Sequence, residues 1–213
     1  PCGVNLDLYD LKDIPLPRLA TDTRIAVLGL GYVGLPLALA LARNNFEVIG
    51  FDTRPEAVIP LCNGTDPNGE ISDAAVASST MTFSYDAADL AGCSVFIIAV
   101  PTPITDAKAP DLGPILSACA TIAPHLTEGA MVILESTVYP GVTEEVCGPA
   151  LAAGSGLKPR DQIKLAYSPE RVNPGDAEHS MENVVKIIAA QDDETLDRVE
   201  AIYAPVVKAG LHR

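Results

Sequence analysis

Three glycines with the spacing G-x-G-x-x-G, Gly29, Gly31 and Gly34, could bind the phosphates of a nucleotide. They follow the apolar stretch IAVLGL and precede a stretch with a helical pattern, so they occupy a strand-to-helix turn. In such a turn the first glycine permits a tight bend, the second lets a pyrophosphate approach the backbone, and the third lets the helix pack closely on the sheet. Free N–H groups at the helix N-terminus attract the phosphate charge. The spacing predicts a dinucleotide site, and the alternative is a turn of this shape that has lost its ligand.

Asp52 ends the next predicted strand, FEVIGFD, and completes a βαβ unit of about 30 residues. A carboxylate at this place can accept hydrogen bonds from the hydroxyl groups of the adenosine ribose, and it would repel a 2′-phosphate. We therefore expect the cofactor to be NAD rather than NADP. Arg54 lies close by and weakens that preference a little.

The loops after three later apolar strands carry unusual combinations of residues. They are VPTP at residues 100–103, ESTVYPG at residues 135–141 and YSPERVNPG at residues 167–175. Because ligands bind outside the carboxyl ends of the strands in open α/β sheets, we expect these loops to meet the glycine turn at one edge. The alternative, for any single loop, is that its prolines merely stop a strand.

The segments around these motifs alternate between strand and helix patterns. Besides the first βαβ unit, strands are predicted at residues 81–85, 94–100, 130–136, 162–168 and 184–190. Helices are predicted at residues 55–61, 112–126 and 143–153, and in the capped amphipathic stretch DDETLDRVEAIYAPVV, whereas residues 65–72 have the composition of turns. This alternation predicts an α/β fold of the Rossmann type, with a doubly wound, mainly parallel sheet and helices on both faces.

Composition limits the classes of partner. The 213 residues carry a net charge of −14, which disfavours nucleic acid and anionic membranes. No apolar run is long enough to suggest a transmembrane helix, and the N-terminus lacks the pattern of a signal peptide. We expect an N-terminal arm over residues 1–23, one NAD-binding domain over residues 24–208, and the start of a linker over residues 209–213.

The cysteines are odd in number and widely spaced, which predicts reduced thiols in the cytoplasm rather than a disulfide framework or a metal site. They are Cys2, Cys62, Cys93, Cys119 and Cys147. All but Cys2 fall in helix or strand patterns, so we expect them to be small core residues. The three histidines also lack the spacing of metal ligands.

Taken together, the motifs resemble those of a known family. In order along the chain they are VLGLGYVGLPLA, FD, VPTP, ESTVYPG and SPERVNPG. This pattern is similar to the N-terminal NAD-binding domain of the UDP-glucose/GDP-mannose dehydrogenases, and most similar to the branch that oxidises UDP-N-acetylhexosamines to uronic acids. The resemblance covers about residues 24–208, which is nearly all of the chain. It implies oxidation of a C6 alcohol to a carboxylate with two NAD+, through an aldehyde that a cysteine thiolate holds.

The resemblance also implies roles for individual residues. Tyr32 and Val33 would join the three glycines at the pyrophosphate, Asp52 would hold the ribose, and Arg54 would border the adenosine. Pro101 and Thr102 would lie along the cofactor. Thr137 would sit near the nicotinamide and help to place the catalytic water, unless it only caps a turn. Glu170 would be the acid/base for thioester hydrolysis, although a plain Glu–Arg ion pair is an equal alternative. The substrate sugar would be bordered by Glu170, Arg171, Val172, Asn173, Pro174 and Gly175.

One departure from the family pattern matters for activity. The family nucleophile lies in a Gly-Gly-x-Cys-x-Pro-like segment beyond the NAD-binding domain, and a catalytic Lys and Asn lie on a central helix; none of these occurs among the 213 residues. We therefore expect this chain to be the N-terminal portion of a longer enzyme, inactive alone, whose parent forms homo-oligomers through the central helix. The alternatives are a UDP-glucose or GDP-mannose 6-dehydrogenase, a hydroxyacid-type dehydrogenase, or a stand-alone NAD-binding module without catalysis.

Overall fold

A computed structural model describes residues 23–105, 108–170 and 183–213. The predictions for the N-terminal arm, for Cys2 and for the substrate-binding residues 171–175 therefore lie outside the described residues.

The described residues form nine strands and six α-helices, with short 3₁₀ turns and one π-helical stretch between them. The strands are β1 (Arg24–Leu28), β2 (Glu47–Phe51), β3 (Thr82–Ser84), β4 (Val95–Ile98), β5 (Met131–Leu134), β6 (Lys164–Tyr167), β7 (Lys186–Ile187), β8 (Ala189–Ala190) and β9 (Leu211–His212). The helices are α1 (Gly34–Arg43), α2 (Pro55–Cys62), α3 (Asp73–Ala77), α4 (Gly113–Ile122), α5 (Gly148–Ser155) and α6 (Asp193–Tyr203).

Seven of the strands form one sheet in the order β3-β2-β1-β4-β5-β6-β8. The first six are parallel, and β8 pairs antiparallel with β6 at the edge. The order reverses between β1 and β4, which is the position where doubly wound sheets bind ligands. The predicted fold class, a Rossmann-type α/β fold with a mainly parallel sheet, is confirmed.

Helices cover the sheet on both faces, because successive side chains of a buried strand point to opposite sides. Ile25 and Val27 of β1 point into a core shared with α1 and α6. Ala26 and Leu28 point into a second core shared with α4 and α5. The two apolar layers therefore hold at one edge of the sheet the carboxyl ends of β1, β2, β4, β5 and β6.

Helix α6 follows its sequence prediction closely. The carboxylate of Asp192 accepts a hydrogen bond of 2.7 Å from the Thr195 N–H, so the predicted cap is present. Hydrogen bonds from Thr195 and from the Gln191 side chain lower the pKa of Asp192 to about 2. The apolar face of the helix buries Val199, Ile202 and Tyr203 against the sheet.

Two local predictions were wrong, and one short helix was missed. The single strand expected over residues 184–190 is divided into β7 and β8, and β7 pairs with β9 outside the main sheet. The predicted turn region is followed by the short helix α3, which had not been expected. The helix expected from residue 143 begins with a π-helical stretch, Val142–Cys147, after Gly141 adopts a φ of 96° that strongly favours glycine.

The cysteines also differ from expectation at one position. Cys93, Cys119 and Cys147 are buried as predicted, but Cys62 is exposed at the end of α2. Its helix packs through Val58 and Leu61, which places Cys62 on the solvent side. Within the described residues, no helix combines the length and apolar character needed to span a membrane.

Candidate functional site

A cavity of about 300 Å³ opens at the carboxyl edge of the sheet. Its walls include ten of the residues predicted from the sequence: Gly29, Gly31, Tyr32, Val33, Asp52, Arg54, Pro101, Thr102, Thr137 and Glu170. Gly34 is the one predicted residue in the described part of the chain that does not line the cavity; it lies buried just behind it. The structure thus brings together residues that are up to 141 positions apart in the sequence, as Gly29 and Glu170 are.

The glycine turn has the geometry that phosphate binding needs. Gly29 has a φ of 94°, and a Cβ there would lie 2.7 Å from the Ala99 carbonyl oxygen. A Cβ on Gly34 would lie only 1.8 Å from the Gly29 carbonyl oxygen, so the helix approaches the strand as closely as backbone allows. A Cβ on Gly31, in contrast, would meet no heavy atom of the described residues within 4 Å. Gly31 therefore faces open space in the cavity wall.

The carboxylate of Asp52 is buried and held by four hydrogen bonds. Oδ2 accepts from the Leu30 N–H and from Arg54 Nη2, each at 3.1 Å. Oδ1 accepts from the Arg54 N–H at 3.1 Å and from Arg54 Nε at 3.0 Å. Burial would raise the pKa of Asp52, but the hydrogen bonds from Arg54 and Leu30 outweigh it and lower the pKa. The carboxylate is therefore ionised and fixed in orientation.

A second cavity, of about 330 Å³, adjoins the first and shares with it Gly29, Asp52, Arg54, Val100 and Pro101. Its far wall is one side of α4 and was missed in the sequence; it consists of Pro114, Ser117, Ala118 and Thr121. The sequence does place small residues at helical spacing along this side of α4. The same pattern is typical of ordinary helix packing, so it does not by itself indicate a cavity wall. Asp52 thus lies where the two cavities meet.

Side-chain hydrogen bonds connect the predicted loops. The Thr102 hydroxyl donates to the Thr137 carbonyl oxygen at 2.9 Å, and the Ser136 hydroxyl donates to the Val100 carbonyl oxygen at 2.6 Å. The Glu170 N–H donates to the Glu135 carbonyl oxygen at 3.3 Å. The prediction that the three loops meet the glycine turn at one edge is therefore confirmed for their described residues.

Behind Glu170 lies a charged cluster that the sequence did not reveal. The Lys186 ammonium, 4% exposed, donates to Glu135 Oε2 at 3.0 Å and to Glu170 Oε2 at 3.1 Å. The Tyr203 hydroxyl donates a hydrogen bond to Glu135 Oε1. Both Glu135 and Glu170 also line the cavity. Glu170 thus pairs with Lys186. The predicted alternative of an ion pair between Glu170 and Arg171 stays a prediction, because Arg171 lies outside the described residues.

The pKa shifts in this cluster follow from burial and charge. Burial raises the pKa of the Glu135 carboxyl, against the opposing effects of the Lys186 charge and the Tyr203 hydroxyl. Burial would lower the pKa of Lys186, but the charges of Glu135 and Glu170 outweigh it and raise the pKa. Burial and Glu135 raise the pKa of Tyr203, which stays a neutral donor. Both Glu135 oxygens accept hydrogen bonds, one from an ammonium, as an ionised carboxylate does.

Comparison with known proteins gives one family. The sequence profile of the UDP-glucose/GDP-mannose dehydrogenase family, NAD binding domain, matches residues 23–207. The UDP-N-acetyl-D-glucosamine 6-dehydrogenase of Pseudomonas aeruginosa is 42% identical over 193 residues, which are 90% of this chain and 46% of that protein. The UDP-N-acetyl-D-mannosamine dehydrogenase of Pyrococcus horikoshii is 35% identical over 190 residues, 87% of this chain and 45% of that protein.

Solved structures agree with these relatives. The structure of the UDP-D-ManNAc dehydrogenase from Pyrococcus horikoshii superposes with a TM-score of 0.81 at 34% identity, over 89% of this chain and 46% of that one. The ternary complex of GDP-mannose dehydrogenase from Pseudomonas aeruginosa also gives 0.81, at 27% identity, over 90% of this chain and 46% of that one. This chain spans about half the length of the relatives that it matches.

Proposed function

The chain belongs to the UDP-glucose/GDP-mannose dehydrogenase family as its NAD-binding domain, and we propose that it serves an enzyme oxidising the C6 alcohol of a UDP-N-acetylhexosamine to the uronate with two NAD+. NAD is the cofactor of this domain. One observation carries the proposal: the glycine turn, Asp52, Thr137 and Glu170 line the same cavity. The sequence identity of 42% to a UDP-N-acetyl-D-glucosamine 6-dehydrogenase favours that branch. Cytoplasmic nucleotide-sugar metabolism for polysaccharide synthesis is part of this proposal.

The residues of the cavity fit an NAD molecule. The ionised Asp52 carboxylate can accept from ribose hydroxyl groups, and the open space beside Gly31 can admit a pyrophosphate next to the backbone. Tyr32, Val33, Pro101 and Thr102 would border the extended cofactor. When bound, NAD+ supplies the acceptor for the hydride that leaves the sugar carbon.

Thr137 and Glu170 are the proposed groups for the chemistry. The exposed Thr137 hydroxyl can both donate to and accept from a water molecule in the cavity. The Glu170 carboxylate can take a proton from that water in the hydrolysis of a thioester. Residues 171–175 are proposed to border the sugar, in keeping with their place directly after Glu170.

The thiolate that this chemistry needs is not supplied by the described cysteines. Burial raises the pKa of Cys93 to about 11, so this thiol is a poor nucleophile. Cys119 and Cys147 lie in the core between α4, α5 and the sheet. None of the described cysteines, the exposed Cys62 included, lines either cavity. We propose that the thiolate comes from a segment outside these 213 residues.

We expect replacement of Asp52 by alanine to weaken NAD+ binding and to narrow the preference for NAD+ over NADP+. The change removes an acceptor for the ribose and the charge that repels a 2′-phosphate, and each charged hydrogen bond contributes about 1.5–3 kcal/mol. It also frees the Arg54 guanidinium, whose planar donors suit a phosphate. Isothermal titration with both cofactors should show NAD+ affinity falling about 10-fold to 100-fold while NADP+ affinity rises.

The double replacement of Asp52 and Arg54 by alanine is the matched control. This double variant should lose as much affinity for NAD+ as the Asp52→Ala variant does, but its affinity for NADP+ should not rise. Equal affinities for the two cofactors in the unmodified chain would contradict the role assigned to Asp52. In that case the acidic residue after β2 would serve only to hold the Leu30 N–H and Arg54.

Two other functions remain as alternatives. A UDP-glucose or GDP-mannose 6-dehydrogenase would share the cavity and differ in the residues that contact the sugar. A stand-alone NAD-binding module would bind the cofactor but would need no Glu170 in the cavity wall. The presence of Glu170 there, held by Lys186, favours an enzyme over a module.

A further inference from the structure

The hydrogen bonds of the Asp52 carboxylate leave no acceptor site open for a ribose. An ionised carboxylate offers about four lone-pair sites, two on each oxygen. The Leu30 N–H and the Arg54 N–H fill one site each, both at 3.1 Å. The Arg54 guanidinium fills the other two, from Nε to Oδ1 at 3.0 Å and from Nη2 to Oδ2 at 3.1 Å. A ribose hydroxyl can therefore donate to Asp52 only after one of these donors has moved away.

The two backbone donors to Asp52 are held in place by the fold. The Leu30 N–H belongs to the glycine turn, which packs so closely that a Cβ on Gly34 would lie 1.8 Å from the Gly29 carbonyl oxygen. The Arg54 N–H lies between β2 and the first residue of α2. The guanidinium, in contrast, ends a flexible side chain that is 60% exposed. Among the described donors to Asp52, the guanidinium is therefore the group that can move without a change in the backbone.

We propose that the Arg54 guanidinium competes with the adenosine ribose for Asp52 and has to leave the carboxylate each time NAD binds. Arg54 lines both of the cavities that meet at Asp52, so its side chain has space on either side. Binding exchanges hydrogen bonds from the guanidinium for hydrogen bonds from ribose hydroxyl groups, and the carboxylate stays paired in both states. The competition lowers the affinity of the site for its cofactor.

This inference rests on the proposed function and deepens it, because it concerns how the same site releases its cofactor. A dehydrogenase exchanges NADH for NAD+ after each hydride transfer. When the ribose leaves, the returning guanidinium pairs the buried Asp52 carboxylate again, and a buried charge without a partner is costly. Arg54 thereby lowers the free-energy cost of release. The sequence alone assigned to Arg54 only a place beside the adenosine.

The test is a double-mutant cycle of NAD+ binding with the 213-residue chain, its Arg54→Ala and Asp52→Ala variants, and the variant with both changes. Isothermal titration measures each dissociation constant. We expect Arg54→Ala to raise the affinity about threefold to fivefold while Asp52 is present, since solvent screens a pair with an exposed guanidinium. Without Asp52, the same change should alter the affinity by less than about twofold. The Arg54 side chain makes no capping hydrogen bond to α2, so alanine should leave that helix intact.

A second measurement needs no change at Asp52. Adenosine diphosphate carries both ribose hydroxyl groups, and its 2′,3′-dideoxy analogue carries neither. Arg54→Ala should raise the affinity for adenosine diphosphate about threefold to fivefold and change that for the analogue by less than about twofold. Equal gains for the two ligands would mean that Arg54 only obstructs the cavity, and they would overturn the inference.

The matched control is Arg43→Ala. Arg43 is exposed at the end of α1 that lies away from the glycine turn, so the same loss of charge should leave each affinity unchanged. An effect of Arg54→Ala that is the same with and without Asp52 overturns the inference, while NAD+ binding by the unmodified chain still supports the proposed function. If the unmodified chain does not bind NAD+, the proposed function fails first, and the inference fails with it. Circular dichroism establishes that each variant is folded.

Discussion

Gly31→Val is expected to abolish NAD+ binding while leaving the fold intact. A Cβ at Gly31 would meet no heavy atom of the described residues within 4 Å, so we expect the fold to accommodate the branched side chain. The same space is where a pyrophosphate would contact the N–H groups of the turn. Loss of two charge-assisted hydrogen bonds, each contributing about 1.5–3 kcal/mol, corresponds to a loss of affinity of more than about 100-fold. Titration calorimetry measures this loss, and the urea midpoint should change little.

Gly34→Ala is the matched comparison, since it is three residues away and adds a smaller side chain. Its Cβ would lie 1.8 Å from the Gly29 carbonyl oxygen, which is backbone and cannot rotate aside. Helix α1 must therefore shift away from β1, and we expect the free energy of unfolding to fall by about 3 kcal/mol. The two variants therefore separate loss of the phosphate-binding space, at Gly31, from loss of close packing between α1 and β1, at Gly34. A Gly31→Val chain that is folded and binds NAD+ normally would contradict the placement of the phosphates.

Much of this site could be predicted because its signals are local. The three glycines, the strand before them and Asp52 after the next strand lie within one supersecondary unit, and each residue type has a steric or electrostatic reason. The loops after β4, β5 and β6 could be placed at the same edge because parallel strands all end there. The fold class followed from the same alternation of strands and helices. The roles of Thr137 and Glu170 stay predictions, although both residues line the cavity.

The charged cluster could not be predicted, because its contacts join residues that are far apart in the sequence. Each of these residues also lies in a segment whose local pattern gives no sign of a charged contact. Lys186 lies in the apolar run VVKIIAA and pairs with Glu135, 51 positions earlier. Tyr203 lies in the amphipathic stretch predicted as a helix, and its ring is buried, but its hydroxyl donates to Glu135, 68 positions earlier. Burial of a lysine depends on whether two carboxylates meet it in space, and neither composition nor periodicity encodes that.

Local backbone geometry explains the remaining differences. The run at residues 184–190 has the composition of one strand, but the Ile187 carbonyl oxygen accepts from the Ser168 hydroxyl at 2.9 Å, and β7 turns to pair with β9. Only β8 reaches the sheet, and it is antiparallel to β6. The helix expected from residue 143 begins instead with the π-helical stretch Val142–Cys147 after Gly141. Such changes cost little energy locally, so propensity alone does not signal them.

The second prediction with a large effect concerns catalysis: a 213-residue polypeptide of this sequence should oxidise no UDP-sugar at a measurable steady rate. The second oxidation of the proposed reaction needs a thiolate that holds the aldehyde. Cys93, Cys119 and Cys147 are buried in the core, and Cys62 lies on α2, outside both cavities. The chain also matches less than half of the length of its relatives. Positioning of a substrate can contribute about 7–11 kcal/mol of the barrier.

Absorbance of NADH measures this, with UDP-GlcNAc, UDP-GalNAc and UDP-glucose as substrates and a full-length relative as the positive control. NAD+ binding by the same preparation, measured alongside, shows that the cofactor site is intact, so that absence of turnover reports on the chemistry rather than on folding. Turnover that survives replacement of all five cysteines by serine would mean that a thiolate is not required, and the proposed mechanism would be wrong. A longer protein carrying this domain should release two NADH for each UDP-N-acetylhexosamine. If it preferred UDP-glucose instead, the family would stand and the proposed branch would not, because the glycine turn and Asp52 are proposed to bind the cofactor and do not distinguish one sugar from another.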